Sequence, residues 1–284
     1  MMLDTQEMIL PTPGSTFEWR PAIGGPILVC GELERYAAHL FTTNQWTLGA
    51  RTTSGDDHAA WDQVARAIDL PFDMLHRPRQ VHGKAVVRPS ANSRITPGDI
   101  IVTNDPLVGI AVQSADCVPL LFVDPTTRTV GAAHAGWRGL AAGVPEAAVQ
   151  ALKKNFGSRT TDLFVAIGPS IGACCYEVGS DVRDAFAAKY AARDLERWFS
   201  DAPKSLTMNP PMAKLGSERR PDHWFFDSWT ATRDQLEAAG VPSERIFSAE
   251  LCTASHPNVL CSYRRDGTPT GRMAAAIRSQ PHRP

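Results

Sequence analysis

Between residues 85 and 134 the chain is cut into short apolar runs, at 85–88, 99–103, 108–112, 118–123 and 129–134, with Pro, Gly, Asn and Asp standing between them. Runs this short suit strands bounded by turns better than helices. A succession of strands with apolar faces must be covered by another layer, and helical patterns lie on either side. Over 57–70, Trp61, Val64, Ala65 and Ile68 share one face, and Pro71 stops the pattern. Residues 139–156 carry apolar positions at helical spacing, with Pro145 marking the regular start. Residues 182–199 and 228–239 read as amphipathic helices, the second stopped by Gly240 and Pro242. Further strands are expected at 163–167, 245–249, 259–263 and 271–277.

The stretch 1–34 is rich in Pro and Gly and reads as an N-terminal extension with one short strand at 26–30. Residues 200–223 are polar and Pro-rich, the mark of a surface excursion. No repeat or linker divides the remainder, so a single α+β catalytic domain is expected over 35–284. Hydrophobic residues make up 43% of the 284 and charged residues 21%, which excludes extended disorder. A formal net charge of -1 gives no basic field, so neither nucleic acid nor membrane is expected as a partner. No apolar stretch approaches the roughly 20 residues a membrane helix needs. Asp4 and Glu7 open the chain and no apolar segment follows a basic start, so no secretory signal is expected. The six cysteines are too sparse for a disulfide scaffold, and a cytoplasmic location with free or metal-bound thiols is the expectation.

Three segments carry the chemistry: Arg79-Gln80-Val81-His82-Gly83, Ser114-Ala115-Asp116-Cys117-Val118-Pro119, and Ala133-His134-Ala135-Gly136-Trp137-Arg138-Gly139. Each sets a soft or borderline ligand at the end of an expected strand, beside a turn. Catalytic zinc sites use three protein ligands from the His, Cys and carboxylate set, with a fourth position open. His82, Cys117 and His134 meet that requirement. Spacing alone does not decide it: no Cys-x-x-Cys or His-Glu-x-x-His is present, and a lone buried Cys or His is equally a packing residue. Asp116 is read as a general base or as a turn residue that satisfies backbone N–H groups. Arg138 is read as a phosphate clamp or as a structural ion pair at a helix start. Arg264, Arg265 and Asp266 read as a phosphate or ribose contact, or as a solvated hairpin. Adjacent Cys174 and Cys175 read as core packing. His39, His58, His76, His223, His256 and His282 have no evident partner and read as structural or exposed.

Those segments, followed in order by Ile167-Gly168-Pro169, Cys174-Cys175-Tyr176-Glu177-Val178-Gly179 and Ser262-Tyr263-Arg264-Arg265-Asp266-Gly267, resemble the bacterial purine nucleoside phosphorylase family once described as polyphenol oxidases or laccase-domain proteins. The resemblance spans roughly His39 to Ile277. It implies a mixed-sheet, layered α/β/β/α sandwich and a Zn²⁺ site made of His82, Cys117 and His134. It also implies phosphorolysis of purine nucleosides, with nucleoside and phosphate as partners, and adenosine deamination at the same site. Asp116, Arg138 and Arg265 are the expected catalytic residues, and a homodimer is left open. The chain departs from the family pattern at two places. Asn44 stands where the family has an arginine after its Phe-Thr-Thr segment, which removes an anion contact. Ser170 stands where the family often has a cysteine.

Other readings use the same residues. A His₂Cys set with an axial Met is a blue-copper pattern, but multicopper oxidases carry His-x-His pairs and this chain has none. Cys117 with His134 as base would make a thiol hydrolase. Loss of the arginine at Asn44 keeps a catalytically inactive nucleoside-binding protein in view. A deaminase of the His-x-Glu, Pro-Cys-x-x-Cys type is not encoded, so deamination would need another proton carrier, and Asp116 is the expected one. No nucleotide-binding glycine loop is present, so ATP and NAD are not expected.

Overall fold

Two mixed sheets stacked face to face form the centre of the protein, whose computed structural model describes residues 9–49, 57–89, 96–212 and 220–280. The first sheet runs β1 (Phe17–Arg20), β2 (Ile27–Cys30), β3 (Ala37–Thr42), β15 (Met273–Ser279), β7 (Gly109–Ser114) and β4 (Leu75–His76), in that spatial order. The second runs β14 (Ile246–Ser248), β10 (Phe164–Ile167), β8 (Val118–Asp124), β9 (Thr129–Ala135), β6 (Ile100–Thr103) and β5 (Val86–Val87). In each, antiparallel pairs dominate and parallel pairing occurs towards the edges. A small third sheet joins β11 (Glu177–Gly179), β13 (His223–Phe226) and β12 (Phe199–Ser200).

Phe17, Leu28, Phe41, Ile110, Val112 and Ile277 from the first sheet meet Ile101, Leu121, Val123, Val130 and Ala166 from the second. The outer face of the second sheet packs under α4 (Val144–Phe156), α5 (Ser180–Ala187), α6 (Ala192–Trp198) and α7 (Ser228–Ala238). The outer face of the first packs under α2 (His58–Ala67), through Trp61, Val64 and Ala65. This is the α/β/β/α layering that the resemblance implied. It also explains why β8 and β9 are apolar at nearly every position and buried at all of them: both of their faces are covered.

Several elements differ from the sequence expectation. The stretch 1–34 supplies β1, β2 and α1 (Gly31–Glu34), and both strands pair into the first sheet. The helix expected over 139–156 is two, α3 (Trp137–Ala142) and α4, parted by Gly143 at φ +87°. Gly143 belongs in that left-handed conformation, which other residues adopt only with strain. The helix expected over 182–199 is also two, α5 and α6, and runs straight into β12. Residues 259–263 form no strand. That segment leads into α8 (Tyr263–Asp266), where the Ser262 side chain accepts the Arg265 N–H as an N-cap. Part of the 200–223 excursion, and His282, lie outside the described residues.

Sheet register places the chemistry. In the β8–β9 hairpin Val118 pairs with Ala135 and Pro119 with His134, so Cys117 and His134 come to the same open end. Across β6, Ile100 pairs with Ala133, which sets Asp99 beside His134.

Candidate metal centre and its cavity

His82, Cys117 and His134 converge, each offering one ligand atom, with all three atoms within 4.8 Å of one another. The two imidazoles meet edge to face, with ring centres 4.9 Å apart. Cys117 and His134 stand on strand ends, whereas His82 stands on a loop that two carboxyl or amide groups hold. Buried Asp99 accepts successive backbone N–H bonds from Val81 (3.2 Å), His82 (3.0 Å) and Gly83 (2.8 Å). Such consecutive N–H groups form an anion nest. On the other side the Gln80 amide donates to Gln113 O (2.7 Å) and accepts from Gln113 N–H (2.8 Å), tying the loop to β7. Together these bonds keep His82 in the left-handed region, at φ +59°, a strained conformation for a residue with a side chain.

Asp99 also takes the His134 Nδ1 at 2.9 Å. A carboxylate on one ring nitrogen fixes the tautomer and leaves Nε2 for the centre, the usual partner of a metal-bound imidazole. Burial would push the Asp99 carboxyl up, but the bonds from His134, Gly83 and Val81 outweigh it and hold it below its ordinary value. Burial likewise disfavours a charged His134, yet Asp99 and Cys117 raise it to about 9. For Cys117 burial opposes the thiolate, and hydrogen bonds with His134 and His82 bring the thiol down to about 7. A thiol lowered this far supplies thiolate, the form that binds metal or attacks carbon, near neutral pH.

Gly136 closes the floor of the centre. A Cβ there would stand 2.9 Å from Cys117 Sγ and 3.1 Å from a His82 ring carbon, so only glycine leaves room for the three donors. The donor types, their closeness and this space fit a three-ligand metal centre.

A cavity of about 540 Å³ opens above the three donors. Trp137, Tyr176 and Tyr263 give it aromatic walls, and Arg138, Arg264 and Arg272 bring guanidinium groups to it. Arg138 is exposed and lies over the Trp137 ring at 4.2 Å. It has no ion-pair partner among the described residues, so the structural ion pair considered for it is not formed. Arg265 is placed differently from expectation. Its guanidinium donates to Thr253 O (2.7 Å), Leu260 O (2.9 Å) and the Asp266 carboxylate, and it does not line the cavity. One turn of α8 turns neighbouring side chains to different sides, and Arg264 takes the place expected of Arg265. The Arg264 guanidinium donates to Glu177 O and lies over Tyr176 at 5.1 Å.

Asp116 lines the cavity beside Cys117, at φ +85°. Its carboxylate accepts from Thr253 Oγ1 (2.5 Å) and from Arg264 N–H (2.6 Å), binding two loops to the end of β8. Burial raises its pKa against the pull of those bonds. Asp116 thus satisfies nearby donors, as its turn reading had it, and also stands at the cavity wall. Sequence reasoning missed Asp99, Tyr176 and Arg272. For Asp99 a signal existed, since an acid directly ahead of a buried strand run must find partners.

The family model for multi-copper polyphenol oxidoreductase laccase matches residues 47–280. A purine nucleoside phosphorylase of Escherichia coli K12, YfiH, is 36% identical over 237 residues, 81% of this chain and 84% of its own. One of Geobacillus stearothermophilus, YlmD, is 35% identical over 76% of each chain. The chain belongs to this laccase-domain family of purine nucleoside phosphorylases. The crystal structure of Geobacillus stearothermophilus YlmD has a TM-score of 0.77 at 30% identity, covering 94% of this chain and 99% of that one. A Bacillus licheniformis YfiH structure has a TM-score of 0.78 at 25% identity, covering 92% of this chain and 99% of that one. Within this laccase-domain chain, Asn44 donates to Pro257 O (3.2 Å) and is not among the residues lining the cavity. Ser170 is buried, accepts from Trp229 Nε1 (2.7 Å) and is not among the residues lining the cavity. No helix among the described residues is long and apolar enough to cross a membrane.

Proposed function

We propose that the protein is a zinc-dependent purine nucleoside phosphorylase, with adenosine, inosine, guanosine and methylthioadenosine as the substrate class. The single observation that carries this reading is the convergence of His82, Cys117 and His134 beneath a cavity edged by three guanidinium groups. In phosphorolysis the bond from the purine nitrogen to C1′ of the ribose breaks, a phosphate oxygen bonds to C1′, and the base leaves with a proton. The sugar passes through an oxocarbenium-like state, and phosphate carries close to two negative charges. Arg138 is free to take a phosphate oxygen pair, and Arg264 and Arg272 add positive charge at the same wall. Trp137, Tyr176 and the exposed Tyr263 give aromatic surface for the purine at the cavity wall. Asp116 fixes Arg264 by its backbone and keeps a protonatable group at the wall. Zinc held by His82, Cys117 and His134 would supply a fixed Lewis-acidic positive charge.

Zinc is the proposed ion because two imidazoles and one thiolate beside an open cavity are the donor set of a catalytic zinc site. Adenosine deamination at this site, which replaces the amino group with oxygen from water and releases ammonia, is part of the proposal, with Asp116 as its proton carrier. Cytoplasmic location is proposed with it. Product chromatography with and without phosphate tests the main activity. Free base with ribose 1-phosphate, formed only with phosphate, is expected; equal base release in both conditions points to hydrolysis.

A second reading has its own observation. Cys117, His134 and Asp99 are linked as nucleophile, base and orienting carboxylate, the pattern of a thiol hydrolase. That reading leaves His82 without a role. Full activity of a His82→Ala variant in the presence of a chelator would favour it.

A further inference from the structure

Away from the cavity floor, Cys174, Cys175 and Cys252 bring three sulfur atoms within 4.8 Å of one another, all buried. Cys174 and Cys175 follow β10 on the loop that leads to β11, and Cys252 arrives after β14. Ser170 and Cys252 are bridged strand-like, which locks the two loops together. Ile171 and Ala254 pack on these residues, in keeping with the core packing expected of Cys174 and Cys175. Packing alone, however, does not aim polar hydrogens at sulfur. Gly172 N–H points at Cys252 Sγ (3.3 Å) and Met212 N–H at Cys175 Sγ (3.3 Å). The Ser255 hydroxyl lies 3.6 Å from both Cys174 and Cys175 sulfurs and is itself bonded to Pro210 O (2.7 Å). Backbone N–H groups directed at sulfur stabilise thiolate, and they are the usual outer partners of thiolates that hold a metal.

We propose that Cys174, Cys175 and Cys252 form a second metal site, separate from His82, Cys117 and His134, that takes a soft monovalent cation of the Cu(I) class. Thiolate donors select Cu(I), zinc and iron–sulfur clusters. A structural zinc site is closed by four ligands. Among the described residues the group has three, and the Ser255 hydroxyl beside two of them already donates to Pro210 O. Three sulfurs without a fourth donor suit a three-coordinate soft ion. The site would not share ligands with the catalytic centre, but Thr253 next to Cys252 donates to Asp116, so a bound ion would stiffen the cavity wall.

The test is an anaerobic titration of the full apo chain with Cu(I), in competition with a coloured Cu(I) chelator. A triple variant, His82→Ala with Cys117→Ser and His134→Ala, should still withhold one Cu(I) per chain. In that background Cys252→Ser, or Cys174→Ser, should lower Cu(I) affinity at least 10-fold. The equally buried Cys30→Ser and Cys261→Ser should leave it unchanged. Because a Cys252 or Cys174 variant could unfold, copper X-ray absorption on the triple variant, in which these three cysteines are intact, gives an independent reading, with three sulfurs and no nitrogen expected around the ion. Loss of Cu(I) in the triple variant, nitrogen in its copper shell, or zinc preferred over Cu(I) at this cluster would each overturn the proposal.

Discussion

At the scale of single residues, Asp99 organises more of the centre than any ligand does. It holds three backbone N–H groups of the loop that carries His82 and the imidazole of His134. Asp99→Asn keeps the shape but loses the charge that balances them. Metal affinity should fall about 10- to 100-fold, the usual effect of removing such a partner, read by chelator competition; an unchanged affinity would make the nest incidental. The two arginines expected from sequence should separate. Arg138→Ala should weaken apparent phosphate affinity by about 1.5–3 kcal/mol with zinc content unchanged, in steady-state kinetics at varied phosphate. Arg265→Ala should instead lower the melting temperature, because it strips buried carbonyls of their donor. The ligands were legible as residue types in strand-end motifs. Which arginine faces the cavity was not, because one turn of helix at 263–266 decides it and nothing in the local pattern announces that turn.

At the scale of elements, strands were legible where both faces are covered. The apolar runs of β6, β8, β9 and β10 needed no partner to be recognised. Helices were found but not divided, since Gly143 and the break at 188–191 fall inside continuous amphipathic patterns. The strand expected at 26–30 is β2, but β1 was hidden because its Pro- and Gly-rich segment pairs by backbone bonds that composition does not show. His39 in β3 was read as a histidine without a partner, yet it is buried: Nε2 accepts Cys30 N–H (2.9 Å) and Nδ1 faces Ala37 O (3.1 Å). That pairing requires the neutral ring, which ties β2 to β3. Burial lowers its pKa from the ordinary value of 6.5. As pH falls through that value the unfolded chain takes up a proton that the folded chain refuses, so stability present above it is lost progressively below it. The slope from this group approaches about 1.4 kcal/mol per pH unit. Urea unfolding between pH 7 and pH 5 should show this loss, and His39→Gln should flatten it; an equal slope in both proteins would assign the loss elsewhere.

At the scale of the whole molecule, two sheets pressed together give a rigid block whose strand ends share one rim. The cavity lies on that rim, where β8 and β9 end and where loops from the first sheet and from 253–264 arrive. Layer order followed from the family resemblance, while the meeting of His82 with the other two donors depends on how one sheet sits on the other. No spacing in the chain encodes that placement, which is why the donors alone were ambiguous, and the fold brings their ligand atoms within 4.8 Å of one another. The most direct measurement is phosphate-dependent release of hypoxanthine from inosine by chelator-stripped protein refilled stepwise with zinc. The account predicts no release when stripped, release rising in proportion to zinc bound at His82, Cys117 and His134, and no recovery in Cys117→Ser. Full release by the stripped chain, or release that does not need phosphate, would contradict it.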